Sequence, residues 1–317
     1  MMNKTYIGID LGGTSLKLGE SDGAGKILRQ TSVPSGYLTQ REALDLTERA
    51  LGAFLAQSVG KPAAVGMGLL GRIDSGRGLW LELDHDRREE LPVAEILSKQ
   101  AGLPCYIDND VRSAAKAELL FGSAGGLKNW AYVNVGTGVA AAVFSGGRPF
   151  QGGHFNASEV GHTASGVGFH APCSCGRPDC VEPVASGMGL DLCARLLAPE
   201  FPDTKLKIPE SGRVRAEDIF ALYGEDPLCR TLTDNAAKAF ANLLMNLVRF
   251  CDPEKIVLCG GVMTGGFLLD KIKAYLNRFT MRYVTGGIVL SPIPPQDIGV
   301  LGACANAIMY NKEETYA

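Results

Sequence analysis

Two stretches of this chain open with nearly the same pattern of apolar and polar positions. Residues 5–10 (TYIGID) are a β-rich run that ends in Leu11-Gly12-Gly13-Thr14, and residues 130–135 (WAYVNV) end in Gly136-Thr137-Gly138. Each turn is followed by more strand-like sequence, LKLGE after the first and VAAAVF after the second. Strand, Gly-Thr turn, strand predicts a β-hairpin whose loop presents backbone N–H groups. Its recurrence in the two halves of the chain hints at an internal duplication.

Around these hairpins the apolar period alternates between helix-like and strand-like. Residues 40–57 carry amphipathic helical spacing, residues 64–70 read as a buried strand, and residues 91–102 return to a helix. A short strand at 105–107 runs into Asp108-Asn109-Asp110, and the strong helix formers of 111–121 begin directly afterwards. The polar triplet is therefore placed at a helix N-terminus. Further on, the pattern predicts a helix over 235–249, a strand over 255–259, a turn at Gly260-Gly261, a helix over 265–279 and a strand over 288–291. An apolar, small-residue helix follows over 299–310. Strands alternating with helices predict an α/β architecture in two lobes. The first is expected to span 1–120, the second 121–297, with a last helix at 298–317 returning to the first.

Composition narrows the function. Of 317 residues, 46% are hydrophobic and 21% charged, with a formal net charge of −3, which suits a globular protein with a substantial core. Basic residues are scattered, and Arg87-Arg88 is followed at once by Glu89-Glu90, so no stripe for nucleic-acid phosphates is expected. The N-terminus runs straight into a strand pattern, so no signal peptide is expected, and no apolar run of about 18 residues offers a membrane span. A cytoplasmic location is expected. Six of nine cysteines lie singly in apolar segments and read as buried reduced thiols.

The remaining three cysteines form Cys173-Ser-Cys175-Gly-Arg-Pro-Asp-Cys180. Three thiolates in a loop bent by glycine and proline can converge on one tetrahedral Zn²⁺, with His162 or His170 as fourth ligand, in a closed, structural site. A disulfide or free thiols are the alternatives. Glu159 and Glu182 flank this loop and could be held by it in fixed positions. The three glycine turns, at Gly12-Gly13, Gly136–Gly138 and Gly260-Gly261, each end a β-rich run and could cradle phosphates in a cleft between lobes. None has the GK[ST] ending of a Walker loop. Asp10 could hold Mg²⁺ through water, Thr14 could donate a hydroxyl, and Lys17 could reach an anionic oxygen. In Asn109-Asp110, the carboxylate could take a proton from a hydroxyl nucleophile, or the pair could be only a helix cap.

These motifs fall in an order that resembles the ROK family of bacterial sugar kinases and related repressors. DLGGT, the DND helix start, GTG, Ala157-Ser-Glu-Val-Gly-His162, CSCGRPDC-V-E and FCDPEKIVLCGGV carry the resemblance across most of the chain. It implies the two-lobed actin-like ATPase fold (sugar kinase/Hsp70/actin) with ribonuclease H-like lobes. It implies ATP, Mg²⁺, a structural Zn²⁺, a small sugar substrate and a homodimer or homotetramer. Asp10, Gly12, Gly13 and Thr14 match the family's first phosphate loop, Gly136, Thr137 and Gly138 the second, and Gly260 and Gly261 the turn near adenosine. Asp110 matches the catalytic base and Asn109 its sugar-binding neighbour. Glu159, His162 and Glu182 match sugar contacts, and His162, Cys173, Cys175 and Cys180 match the zinc ligands, which favours His162 over His170.

Departures from the family pattern fall where sugar is expected. Gly71-Arg72 resembles the corresponding pair in N-acetylmannosamine kinases, Asp84 stands in for a sugar-touching asparagine, Arg112 for a second asparagine, and Ser158 for a glycine. The resemblance implies transfer of phosphate from ATP to a hexose hydroxyl, the 6-OH, of a glucose-like or N-acetylmannosamine-like substrate. A non-enzymatic sugar-binding regulator is the alternative. The family's repressors carry a helix-turn-helix ahead of the first phosphate loop, and with nine residues before Asp10 none is expected here.

Overall fold

The computed structural model describes residues 3–36 and 38–315, with side chains as far as Asn311. The chain divides into two compact units. The first comprises Met1–Gly126, Gln151–Ala157 and Pro292–Ala317, and the second Leu127–Phe150 and Ser158–Ser291.

In the first unit, strands β1 (Lys4–Leu11), β2 (Ser15–Ser21) and β3 (Ile27–Pro34) form an antiparallel meander. Helix α1 (Gln40–Leu55) then starts on a capping box, with Thr39 and Glu42 satisfying each other's backbone N–H groups, and leads to β4 (Lys61–Leu69). A small hairpin follows, β5 (Arg72–Asp74) with β6 (Leu79–Glu82), and then α2 (Val93–Ala101), which closes on the left-handed Gly102. Strand β7 (Cys105–Asn109) runs into α3 (Asp110–Phe121) without a linker. The sheet order is β3-β2-β1-β4-β7, with β1, β4 and β7 parallel.

The second unit repeats this plan. It contains β8 (Trp130–Val135), β9 (Val139–Ser145), β10 (Arg148–Pro149), α4 (Glu182–Ala185), α5 (Gly187–Leu197), α6 (Ala216–Ala221) and α7 (Pro227–Cys251). Then come β11 (Lys255–Cys259), α8 (Phe267–Lys273), α9 (Arg278–Met281) and β12 (Ile288–Leu290). Its sheet order, β10-β9-β8-β11-β12, has the same antiparallel hairpin side and parallel side as the first. The twice-seen hairpin of the sequence is thus the opening of each sheet. The last helix, α10 (Ile298–Thr315), belongs to the first unit.

Alternation along β1 explains how the first unit is layered. Ile7, Ile9 and Leu11 point into a core with Leu44, Leu51 and Phe54 of α1 and with Trp80. Gly8 points to the other face, where α10 lies almost on the sheet backbone. A Cβ on Gly8 would fall 2.3 Å from the Val300 carbonyl oxygen, and one on Gly66 would fall 1.9 Å from that of Ala303. Helix α10 is accordingly buried all round from Val300 to Ile308, which accounts for its small-residue composition. In the second unit the long α7 supplies the core through Leu232, Ala236, Phe240, Leu244 and Leu247, packed with Val133, Val143, Ile256 and Leu258.

Three expectations from the pattern change. The helix expected over 265–279 is two short ones. Gly265 and Gly266 both have positive φ, and Asn277 caps a new start by accepting from Phe279 and Thr280. Helix α7 begins before the expected 235, because Asp226 accepts from the Cys229 N–H and Pro227 sits in the first turn. Residues 151–157, placed by sequence in the second lobe, group with the first unit. Arg72 Nε donates to the His154 carbonyl at 3.1 Å, and Gln151 Nε2 donates to Ser75 Oγ at 2.9 Å.

Candidate active site and metal cluster

In the first unit, the three parallel strands bring the expected residues to one sheet edge. Leu11, Leu69 and Asn109 are aligned across β1, β4 and β7. The Gly12–Thr14 turn, the Gly71-Arg72 segment and Asp110 therefore emerge together at the carboxyl ends, the edge at which open α/β sheets bind ligands. Asp10 lies one position inside, cross-strand from Lys17. Burial pushes its carboxyl pKa up, and the Lys17 charge partly opposes this. The Lys17 ammonium donates to the Gln296 carbonyl at 3.3 Å, and Gly299 in the first turn of α10 abuts the Asp10 carboxylate.

The first glycine loop is closed by Gly12 N–H donating to the Ser15 carbonyl (2.9 Å) and by Ser35, which contacts Thr14 and Gly12. A Cβ on Gly13 would meet nothing within 4 Å. Packing within the protein therefore does not require this glycine, and the loop backbone is open on that side.

Asn109 is the N-cap of α3, its Oδ1 accepting from Val111 N (3.0 Å) and Arg112 N (3.2 Å). Its Nδ2 donates to the Gly71 carbonyl at 3.2 Å. Asp110 stands in the first turn of the helix, partly exposed. Gly71 is required by packing: at φ +86° a Cβ would lie 2.2 Å from the Glu82 carbonyl oxygen. Arg72 is held by Glu82 (2.8 Å) as well as by His154. Asp84 is committed locally, accepting from the Asp86 and Arg87 N–H groups and pairing with the Arg87 guanidinium, which holds its carboxyl below the usual range. Arg112 is buried, bound to Asp108 and to the Ile73 carbonyl.

In the second unit, Gly136–Gly138 joins β8 to β9, and Gly260-Gly261 follows β11 beside it, with Cys259 aligned to Asn134. Gly260, at φ +103°, lets the two turns touch, since a Cβ there would lie 2.3 Å from the Val135 carbonyl oxygen. Cβ atoms on Gly136 and Gly261 would meet almost nothing, as at Gly13. The start of α5, not singled out in the sequence, fixes this loop. Gly187 N–H donates to the Gly136 carbonyl (2.9 Å) and Met188 N–H to that of Thr137 (3.2 Å). Ser186, an N-cap residue before an apolar helical run, was the available signal.

Glu182 lies against the same loop. Its Oε2 accepts from Val139 N–H at 2.9 Å, and a Cβ on Gly138 would fall 2.4 Å from that oxygen. Glu159 is exposed just before the 3-10 turn Val160–His162, whose Gly161 packs on the Val139 carbonyl. Ser158 adopts φ +72°, a conformation a glycine at that place would take without strain.

The ligand atoms of His162, Cys173, Cys175 and Cys180 all lie within 4.8 Å of one another, whereas His170 is not in the group. Cys173 Sγ is 3.3 Å from His162 Nδ1, and Cys175 Sγ is 3.5 Å from Cys180 Sγ. A tetrahedron with metal–sulfur distances of about 2.3 Å has sulfur–sulfur edges of about 3.8 Å, close to this spacing. Without a cation, burial and the neighbouring cysteines push the Cys180 thiol up to about 12. A divalent ion reverses that cost by holding thiolates. The four residues therefore fit zinc. The loop is braced by Arg177, which donates to the His162 carbonyl at 2.8 Å, and by Val181 N–H on the Thr163 carbonyl. Among the described residues, no helix is long and apolar enough to cross a membrane.

The family described as "ROK family" matches residues 6–309. A glucokinase of Halalkalibacterium halodurans is 29% identical over 296 residues, 90% of this chain and 89% of that protein. An N-acetylmannosamine kinase of Escherichia fergusonii is 28% identical over 303 residues, 94% and 97% of the two chains. The crystal structure of a glucokinase from Streptomyces griseus in complex with glucose and AMPPNP superposes with a TM-score of 0.77 at 25% identity, covering 96% of this chain and 99% of that one. Such neighbours have the two-lobed actin-like ATPase fold, and the paired sheet orders found here agree with it.

Proposed function

This chain belongs to the ROK family, and from that premise we propose that it is an ATP-dependent hexose kinase with Asp110 as general base. The observation that carries the proposal is the shared sheet edge of the first unit. It presents a glycine loop with open backbone and a partly exposed carboxylate in the first turn of a helix. Sugar kinases among the relatives, one for glucose and one for N-acetylmannosamine by name, point to a hexose or its N-acyl derivative. The acceptor we assign is the 6-hydroxyl.

In this reading Asp110 takes the proton of the sugar hydroxyl as its oxygen bonds to the γ-phosphorus. The bond from that phosphorus to the β,γ-bridging oxygen breaks, and its electron pair leaves with ADP. Phosphoryl transfer needs mainly positioning and charge neutralisation, which fits a site made of backbone N–H groups and one carboxylate. Asn109 offers its remaining amide hydrogen to a neighbouring sugar oxygen. Gly12–Thr14 in the first unit and Gly136–Gly138 in the second are each a turn suited to phosphate oxygens, and Gly260-Gly261, also in the second, one suited to adenosine. Asp10 and Lys17 share the charge at the first loop, where Mg²⁺, when bound, neutralises the phosphates. The His162, Cys173, Cys175 and Cys180 cluster holds structural zinc, keeping Glu159, His162 and Glu182 in fixed relation. Closed coordination leaves such an ion no chemical step.

A panel of glucose, allose, mannose and N-acetylmannosamine, followed by coupled detection of ADP, tests the reading. One sugar should stimulate ADP release, and Asp110→Asn should lower kcat by about 10²–10⁴-fold while calorimetry still detects sugar binding. ADP release from no sugar would point to the regulator instead, and wild-type kcat in Asp110→Asn would remove the base assignment.

A further inference from the structure

The residue before the proposed base is gripped at every polar group, and the grip extends into the C-terminal helix. Asp108 Oδ1 accepts from the Asn109 N–H at 2.8 Å, and the Asn109 carbonyl accepts from Ser113 Oγ at 2.8 Å. Asn306 of α10 donates through Nδ2 to Ser113 Oγ (2.8 Å) and to the Met67 carbonyl (3.2 Å). Its Oδ1 accepts from Lys116 Nζ at 2.8 Å, and Lys116 returns to Asp108 Oδ2 at 2.6 Å. The path from Asp108 through Lys116, Asn306 and Ser113 to the Asn109 carbonyl is therefore a closed ring, completed by the Asp108–Asn109 peptide. Asp108, Ser113, Lys116 and Asn306 are all buried, at 2% exposure or less. Nothing in the helix itself requires this. Ser113 and Lys116 could face outward on an ordinary surface helix, and a single N-cap would start α3.

We infer that Ser113, Lys116 and Asn306 are positioning residues for Asp110, so that the C-terminal helix sets where the base stands; this rests on the kinase reading above. None of the three reaches a reacting atom. They act by fixing the Asn109–Asp110 peptide between the ring and the helix, which sets the direction in which the Asp110 carboxylate leaves the sheet edge. Misplacement of a catalytic group by about 1 Å can cost as much as 10²-fold in rate, so a polar ring of this kind has a catalytic consequence separable from stability.

The test combines Ser113→Ala, which removes one oxygen, and Asn306→Leu, which removes the amide but keeps the bulk, each alone and together with Asp110→Asn. In the wild-type background each variant should lower kcat, by about 10–100-fold for Asn306→Leu, with sugar KM within twofold and the melting profile still cooperative. In the Asp110→Asn background neither should lower the residual rate further, because there is no base left to misplace. A merely structural role would lower both backgrounds alike. Unchanged kcat in a folded Ser113→Ala and Asn306→Leu overturns the inference while leaving the kinase reading intact, as does an equal loss in both backgrounds. Absence of sugar-dependent ADP release from the wild type overturns both.

Discussion

Replacing Lys116 with methionine isolates the charge at the centre of the first unit. The ammonium is buried and touches Asp108 Oδ2 at 2.6 Å, Asn306 Oδ1 at 2.8 Å and the Tyr310 hydroxyl at 3.1 Å. Methionine keeps the volume, so the loss is electrostatic rather than a cavity. Removing one partner of a buried ion pair costs about 3–5 kcal/mol. Asp108 keeps the Arg112 Nε at 2.6 Å and the Asn109 N–H, which places the expected loss at the low end, about 3 kcal/mol. With a urea slope of about 1–3 kcal/mol per molar, the midpoint should fall by about 1–3 M at unchanged slope.

The pH dependence gives a second reading of the same variant. Burial favours the neutral form of Asp108, but the Lys116 and Arg112 charges and hydrogen bonds outweigh it and hold the carboxyl below its ordinary 3.8. Its contribution is therefore present above that value and lost as pH falls through the lowered one. Burial likewise opposes the charge on Lys116, but Asp108 and Tyr310 raise it above its ordinary 10.5. That contribution is complete below 10.5 and is lost as pH climbs through the raised value. Lys116→Met should bring the acid loss to higher pH and abolish the alkaline one. A midpoint within experimental error of wild type, with both limbs unchanged, would refute the assignment of Lys116 as the charge partner of Asp108.

Two further outcomes concern the metal cluster and the first phosphate loop. Purified protein should carry about one zinc per chain by elemental analysis, and Cys175→Ser should lose it and melt at lower temperature; a zinc-free protein of undiminished stability would contradict the site. Gly299→Ala would place a Cβ 2.2 Å from Asp10 Oδ2, so the carboxylate must move. Its kcat/KM for ATP should drop by at least about tenfold in a Mg²⁺-matched titration, and an unchanged value would separate Asp10 from the nucleotide.

How much of this was legible in the chain differs from residue to residue. The hairpins at Gly12-Gly13 and Gly136–Gly138 and the helix start at Asn109 were readable because a turn or a cap is decided within a few residues. The Cys173–Cys180 loop was readable because its ligands are close in sequence, and the structure brings His162 rather than His170 to it. Hairpin β5–β6 and helices α5 and α6 carried no strong period and were missed. The break between α8 and α9 was missed because Gly265 and Asn277 act through backbone angles and a cap that periodicity does not register.

Sequence by itself therefore determined the local pieces of this protein: which runs are strands, where glycine is needed, where a helix begins, and the order of motifs that marks the family. Tertiary structure alone decided the partners of polar groups whose matches lie far along the chain. Glu182 turned to the second glycine loop, and Lys116 to Asn306. Lys116 and Asn306 stand 190 positions apart. Periodicity reports which face of an element is apolar, but the match of one buried charge to another is set by which elements pack, and here by the closeness with which α10 lies on the glycines of β1 and β4.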